Sequence, residues 1–384
     1  MNLIELGKCC RLLSGGTPSK GKEDYWQGKI PWFSPKDIKT FDLLDSLDHI
    51  TEDAIHSSAT QLIPPNTVLV VGRSGVLARS LPVGITRKLA AFNQDIKAIL
   101  PDNHLDPEYI ALFLKSQEAR VLQYGVKIGA TVHSLKSGFL ESLRIPLWNI
   151  AKQRQIAIHL KNQIACTEEA KKAIFIQLDE IKSIANAIIT SSINQTGVTS
   201  YSIGKAIDEI KQGIGSHWNE YQVLGATREG LAPAKEHVGK NPERYKPVLP
   251  GTVFYNPMRI LIGSIAMVDE DDPPGITSPD YVVLRGKEGL VDSRWFYYWL
   301  RSPVGERCIA SLARGAVRER MLFNRLAEGE INLPPYSVQL AASQALAELR
   351  PLKHGIEARL RDIELLPARI LANAFDLKED SSHA

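Results

Sequence analysis

Residues Ala151–Ile193 read AKQRQIAIHLKNQIACTEEAKKAIFIQLDEIKSIANAIITSSI, a run with no glycine and no proline. Lacking both helix breakers, it predicts one uninterrupted helix of roughly 64 Å at about 1.5 Å per residue. Ile174, Leu178, Ile181, Ala185 and Ile188 follow the 4,3,4,3 spacing of a coiled-coil stripe. The stripe extends back through Leu160 and Ile164, with Thr167 and Lys171 interrupting it. A second heptad stretch near the C-terminus carries Ala345, Leu349, Leu352, Ile356, Ile363, Leu366 and Ile370, and there Pro351 and Pro367 predict kinks or short breaks. Exposed apolar stripes of this length need partners, and each helix is the economical partner of the other, packed antiparallel.

The text ahead of each helix is related. Pro64-Pro65-Asn66-Thr67-Val68 matches Leu249-Pro250-Gly251-Thr252-Val253, and Asp95 before an apolar run matches Asp280 before Tyr281-Val282-Val283-Leu284. In the same order, Tyr109 to Ser116 aligns with Trp295 to Ser302, Gly129-Ala130 with Gly315-Ala316, and Arg144-Ile145-Pro146 with Asn332-Leu333-Pro334. Collinear matches at an offset of about 185 residues are the mark of a duplicated unit. Within a copy, short apolar runs such as Thr67 to Val71 and Asp95 to Leu100 lie between Gly, Pro and Asn, and one amphipathic helix (Pro107 to Gln117) interrupts them. The expected fold is α+β: two mixed α/β domains separated by two long antiparallel coiled-coil helices, a pseudo-twofold internal repeat. The expected boundaries are 1–150, helix 151–195, 196–336, helix 337–376 and a disordered tail from 377 to 384, with Asn194 to Gly204 as the linker into the second copy.

At 384 residues, 44% hydrophobic and 23% charged, the composition is that of an ordinary globular protein with room for two cores. The four cysteines (Cys9, Cys10, Cys166, Cys308) lack metal-ligand spacing and are too sparse for a disulfide framework. With no signal-like start and no apolar run approaching a membrane span, a soluble cytoplasmic protein is expected. The net charge of +3 decides nothing, but its distribution does. Residues 54–94 hold no Asp or Glu while carrying Arg73, Arg79, Arg87 and Lys88, and 119–140 are acid-free with Arg120, Lys127 and Lys136. In the second copy 244–268 lack acids but hold Arg244, Lys246 and Arg259, and five arginines against one glutamate lie between Arg307 and Arg325. Acid-free, Arg-bearing segments in both copies are what a polyanion-binding face requires, since carboxylates would repel phosphate. A solvated basic surface is the plainer reading of any single segment.

The candidate chemical motifs fail on inspection. In Asn332-Leu333-Pro334-Pro335-Tyr336, Leu333 stands where an amino-methyltransferase would need a polar residue before the prolines, and no Gly-rich cofactor loop lies upstream. Asp95-Ile96-Lys97 has the form of half a nuclease motif, but the preceding 41 residues supply no carboxylate to share a magnesium ion. Gly15-Gly16-Thr17-Pro18-Ser19-Lys20 lacks the spacing of a nucleotide-phosphate loop and reads as a flexible polar loop. Asp269-Glu270-Asp271-Asp272 reads as a solvated acidic turn rather than a cation site. Trp32 and Trp295 read as core rather than as stacking platforms. Missing a nucleophile, base or metal set, the chain is expected to bind rather than to catalyse.

Several of these segments, in this order, resemble the DNA specificity subunit of type I restriction-modification systems. They are Gly15-Gly16-Thr17-Pro18-Ser19 with Ile30-Pro31-Trp32-Phe33-Ser34, Val70-Val71-Gly72-Arg73-Ser74-Gly75, Gly129-Ala130-Thr131 leading to Leu143-Arg144-Ile145-Pro146-Leu147, and Gln153-Arg154-Gln155-Ile156-Ala157. In the second copy Tyr255-Asn256-Pro257-Met258-Arg259 to Gly263-Ser264-Ile265 and Gly315-Ala316 to Leu333-Pro334 fit as well, while the Gly-Gly-Thr-Pro element is missing. The resemblance implies two target-recognition domains, each reading one half of a split site on double-stranded DNA. Because the copies diverge, the site is expected to be asymmetric, with an unread gap between its halves. It implies helices that also dock two modification subunits, while the seam by which the helices pack on each other is expected to include Ile174, Leu178, Ile181, Ile188, Leu349, Leu352, Ile356 and Ile363. Restriction subunits join through that complex, and S-adenosylmethionine, ATP and Mg2+ are carried by the partners, with no cofactor or metal in this chain. Candidate DNA contacts are Thr17, Lys20, Ser34, Lys36, Arg73, Ser74, Lys127, Thr131 and His133 in the first domain, and Arg228, Lys235, Arg259, Arg314, Arg318 and Arg320 in the second. Arginine can grip phosphate or read a guanine edge, the latter worth about 1–3 kcal/mol of discrimination, and the sequence does not choose between them. The alternative is a helical scaffold or antirestriction-like decoy that docks modification subunits without reading DNA.

Overall fold

A computed structural model describes residues 2–235, 238–313 and 320–375. The expected tail and the candidates Arg314 and Arg318 lie outside the described residues. The described residues divide into two compact units, 2–172 with 360–375 and 173–359.

In the first unit, Val68–Val71 is fully buried along its length, as a central strand covered on both faces should be. It pairs with Ile96–Pro101 and Val83–Thr86, and the five-stranded order is Cys10–Ser14, Ile96–Pro101, Val68–Val71, Val83–Thr86, Asp42–Leu43. A second sheet runs Asp48–Ile50, Ile30–Phe33, Ala90–Phe92, Leu62–Ile63, its middle pair parallel. The helix Pro107–Ser116 starts where expected, because Asp106 Oδ1 accepts from the Glu108 and Tyr109 amides and Pro107 needs no partner at the first position. Its Tyr109 and Phe113 rings pack on Phe375 of the C-terminal helix at 5.2 and 5.5 Å.

The second unit repeats the plan. Ile207–Ile210, Val282–Gly286, Thr252–Tyr255 and Ile265–Val268 form a sheet in the order of the first copy's first four strands. Leu231–Pro233, Gln222–Ala226, Gly275–Thr277 and Lys246–Val248 repeat the other sheet, again with its middle pair parallel. Asn2–Glu5 pairs with Arg144–Leu147, and Thr199–Ser202 with Glu330–Leu333. The linker expected over Asn194 to Gly204 is therefore shorter, since the strand Thr199–Ser202 has edge partners to satisfy its backbone.

The two long helices are Ile150–Ile193 and Tyr336–Phe375. On the first, a stripe of buried or half-buried positions passes through Gln153, Ala157, Leu160, Ile164, Thr167, Lys171, Ile174, Leu178, Ile181 and Ala185. Thr167 and Lys171 thus continue the stripe. The Thr167 hydroxyl donates to Ile164 O at 2.7 Å, and Lys171 pairs with Glu364 of the other helix at 3.4 Å. Beyond Ala185 the buried residues are Ile189 and Ser192, with Ile188 half-buried beside the first.

Two expectations for the C-terminal helix fail. It runs without a break through Pro351 and Pro367. The turns around Pro351 are tied down: Arg350 pairs with Asp269 and Asp272, and Lys353 Nζ donates to Glu229 O at 3.1 Å. Its buried stripe passes through Gln339, Ala342 and Leu346, so Ala345 is exposed, Leu352 is 58% exposed and Leu366 also lies outside. Leu349, Ile356 and Ile363 are half-buried. Among the described residues no helix is long and apolar enough to cross a membrane.

Candidate nucleic-acid interface

The first unit's candidate surface starts at a loop that only glycine can occupy. A Cβ on Gly15 would lie 2.1 Å from Phe92 O, and one on Gly16 2.6 Å from the Ala59 carbonyl carbon. Gly16 N donates to Phe92 O at 3.1 Å, and Gly16 O accepts from Trp32 Nε1 at 3.1 Å. The start of this loop is thus seated on the sheet, not free as the sequence suggested. Both Trp32 and Trp295 are buried. Thr17 Oγ1 donates to Gln94 Oε1 at 2.6 Å, while Lys20 further along is exposed.

Gln94 precedes a turn that aims the basic residues. Asp95 O accepts from both Gly72 N (2.7 Å) and Arg73 N (2.9 Å), so the buried strand swings into Arg73–Ser74. That short strand is the edge of a three-stranded sheet with His133–Leu135 in the middle and Val126–Lys127 beyond. The register sets Lys127 opposite Ser134 and Ser134 opposite Arg73. Residues directly opposite in antiparallel strands share a face, so these three form one row. On the other face Leu135 is buried, fixing the row Lys127–Ser134–Arg73 toward solvent. Arg73 and Lys127 are exposed and make no ion pair among the described residues. His133 and Ser74 sit opposite each other on the inner face, half-buried, and His133 Nδ1 accepts from Gly129 N at 3.3 Å. Thr131 is exposed in the hairpin and its carbonyl lies against Gly75.

The sheet therefore gathers Arg73, Ser74, Lys127, Thr131 and His133, with Thr17 beside the same Asp95 turn. Ser34 and Lys36 are engaged elsewhere. Ser34 is buried, its N and Oγ both donating to Asp37 Oδ2 at 2.8 and 2.7 Å, and Lys36 pairs with Asp48 at 2.9 Å. Ser134 and Gln94 were missed by sequence reasoning; only the alternation of His133-Ser134-Leu135 across the strand hints at the first.

In the second unit Arg259 is exposed on the turn Asn256–Gly263, closed by Arg259 N to Asn256 O at 2.9 Å and by Gly263, whose φ of +83° favours glycine. Arg320 is brought to this turn by Met321 N donating to Pro257 O at 3.1 Å, and it pairs with Asp280 at 3.0 Å. Arg228 lies on the exposed turn Thr227–Gly230 against Gly263 and lines a cavity of about 1040 Å³. Lys235 is exposed beyond the strand Leu231–Pro233, with no contact that ties it to this group. The acidic turn is not simply solvated. Arg294 grips Asp269 with Nε at 3.1 Å from Oδ2, and Arg350 reaches both Asp269 and Asp272. Burial is the largest single influence and pushes the Asp269 carboxyl up, but the hydrogen bonds from Arg294 and the Glu270 amide, together with the charges of Arg294 and Arg350, hold the group below its ordinary value.

This repeated sheet-and-helix plan has known relatives. Residues 1–180 match the model of the type I restriction modification DNA specificity domain. The specificity subunit of the type I restriction enzyme EcoR124I/EcoR124II of Escherichia coli is 40% identical over 152 residues, 39% of this chain and 38% of that protein. The MjaIX specificity subunit of Methanocaldococcus jannaschii is 27% identical over 164 residues, 41% of this chain and 36% of that protein. The chain thus covers little more than a third of the length of these curated relatives. A solved structure described as showing complex assembly and conformational transition of the type I restriction-modification system superposes with a TM-score of 0.66 at 14% identity, over 97% of both chains. The HsdS subunit from Thermoanaerobacter tengcongensis superposes with a TM-score of 0.51 at 13% identity, over 97% of this chain and 96% of that one. At such identities the likeness is one of fold alone, and it covers nearly the whole chain, beyond the 180 residues matched by the family model.

Proposed function

We propose that this chain is the DNA specificity subunit of a type I restriction-modification complex and is not itself catalytic. The observation that carries the reading is the outward row Lys127–Ser134–Arg73, drawn from two acid-free segments of the domain that matches the specificity-domain model. Unpaired cations on a rigid sheet hold phosphate and steer DNA without local competition from carboxylates. The second copy supplies its own cations, Arg259 foremost, so each domain reads a different half-site.

The helices dock two methyltransferase subunits, and exposed Phe175, Ile176, Leu352 and Leu365 give such partners apolar surface to cover. Those partners carry S-adenosylmethionine and the adenine-flipping chemistry, and restriction subunits bring the ATP and Mg2+ dependence. The double variant Arg73→Glu with Arg259→Glu tests this in the complex co-expressed with its methyltransferase. It should still co-purify with the partner, while DNA affinity falls at least about tenfold and its dependence on salt becomes shallower. Unchanged affinity and salt slope would leave a docking scaffold as the better account.

A further inference from the structure

The hairpin that carries Lys127 ends in apolar residues that nothing among the described residues covers. Ile128 is 83% exposed, and Val132, across the tip, is 39% exposed. The tip is tightly made: a Cβ on Gly129 would lie 2.2 Å from Val132 O, and His133 Nδ1 accepts from Gly129 N. Its base is anchored by Leu135, buried in the core, and by Leu135 N donating to Gly72 O at 2.7 Å. An isoleucine held out on a built hairpin, directly after Lys127 of the cationic row, combines apolar surface with a phosphate-binding flank.

We infer that this hairpin enters the DNA major groove and that Ile128 reads an apolar base edge there, the 5-methyl of a thymine. The inference rests on the proposed DNA-reading function and adds a specificity-determining residue to it. Charge complementarity selects the occupant, because the adjoining row is cationic and 119–140 is acid-free. Dimensions select the groove. Two paired strands about 4.8 Å apart, with their side chains, fit the roughly 12 Å major groove but not the roughly 6 Å minor groove. Chemistry selects the edge, since the thymine methyl is the apolar feature that the major groove displays. Lys127 and Arg73 would then hold the flanking phosphates, leaving the tip to discriminate.

The test uses the complex co-expressed with its methyltransferase, with N6-methyladenine mapped for wild type, Ile128→Ala and Ile128→Lys. Both variants should fold, the residue being exposed, and thermal melting of the complex checks it. The expected result is that one half of the recognised motif relaxes about tenfold or more at an A·T pair, while the other half and the gap stay unchanged. Unchanged stringency in both halves overturns the inference, as does relaxation at a G·C pair or uniform weakening with no loss of discrimination. A wild-type complex that is active but yields no bipartite motif fails the underlying reading instead, and the inference falls with it.

Discussion

Gln153 and Gln339 are buried, and each closes the same set of hydrogen bonds. Gln153 Nε2 donates to His104 O and Trp148 O, both at 2.8 Å, while its Oε1 accepts from Asp106 N at 2.9 Å. Gln339 Nε2 donates to Leu290 O at 3.0 Å and Pro334 O at 2.9 Å, and its Oε1 accepts from Asp292 N at 3.0 Å. Every partner lies 186 residues beyond its counterpart. Each amide ties the first turn of a long helix to the residue that caps the shorter helix of the same copy, Asp106 or Asp292. Gln153→Ala should orphan one buried N–H and two carbonyls, at about 1–3 kcal/mol for a buried group left unpaired. Chemical denaturation should register a loss of that order or more, and Gln339→Ala should match it; a loss below about 0.5 kcal/mol would remove the clamp from the account. Half of this device is legible in the sequence, where Gln153 opens the helix. Its twin is hidden because Gln339-Leu340 has none of the text around Gln153-Arg154, and three hydrogen bonds to main chain leave no trace in neighbouring side chains.

At the scale of elements, periodicity foretold both helices but put Ala345, Leu352 and Leu366 of the second on a buried stripe that Leu349, Ile356 and Ile363 only half occupy. Ala345 and Leu352 keep an apolar heptad that the structure leaves outside, because Leu346 and Ala342 fill the core beneath. The helix is then held by charges that sequence reasoning assigned to solvent. Asp269, gripped by Arg294 and Arg350, has a carboxyl held below its ordinary value, so its contribution to stability is full above the usual carboxylate range near about 4 and is lost as pH falls through and below it. Melting measured from about pH 6 down to about pH 3 should therefore find Asp269→Asn less stable than wild type at the upper end, with the gap closing toward the lower. A gap independent of pH would mean that the carboxylate's charge contributes nothing. The hairpin Val126–Leu135 marks another limit of the sequence. Its residues were singled out one by one, but the shared face of Lys127, Ser134 and Arg73 depends on pairing between strands some 60 residues apart, which no local pattern encodes.

At the scale of the whole molecule, the duplication was the most legible feature, and it survives as matching strand orders in both units. On the proposed function it also sets the form of the target: two domains built alike but carrying different surface residues, Lys127 and Arg73 in one and Arg259 and Arg320 in the other, would read two different half-sites. The most direct measurement is single-molecule mapping of N6-methyladenine in cells expressing this chain with its methyltransferase. The expected result is one bipartite, asymmetric motif with a gap of fixed length. A stable, active complex that methylates a continuous motif, or no motif at all, would contradict it.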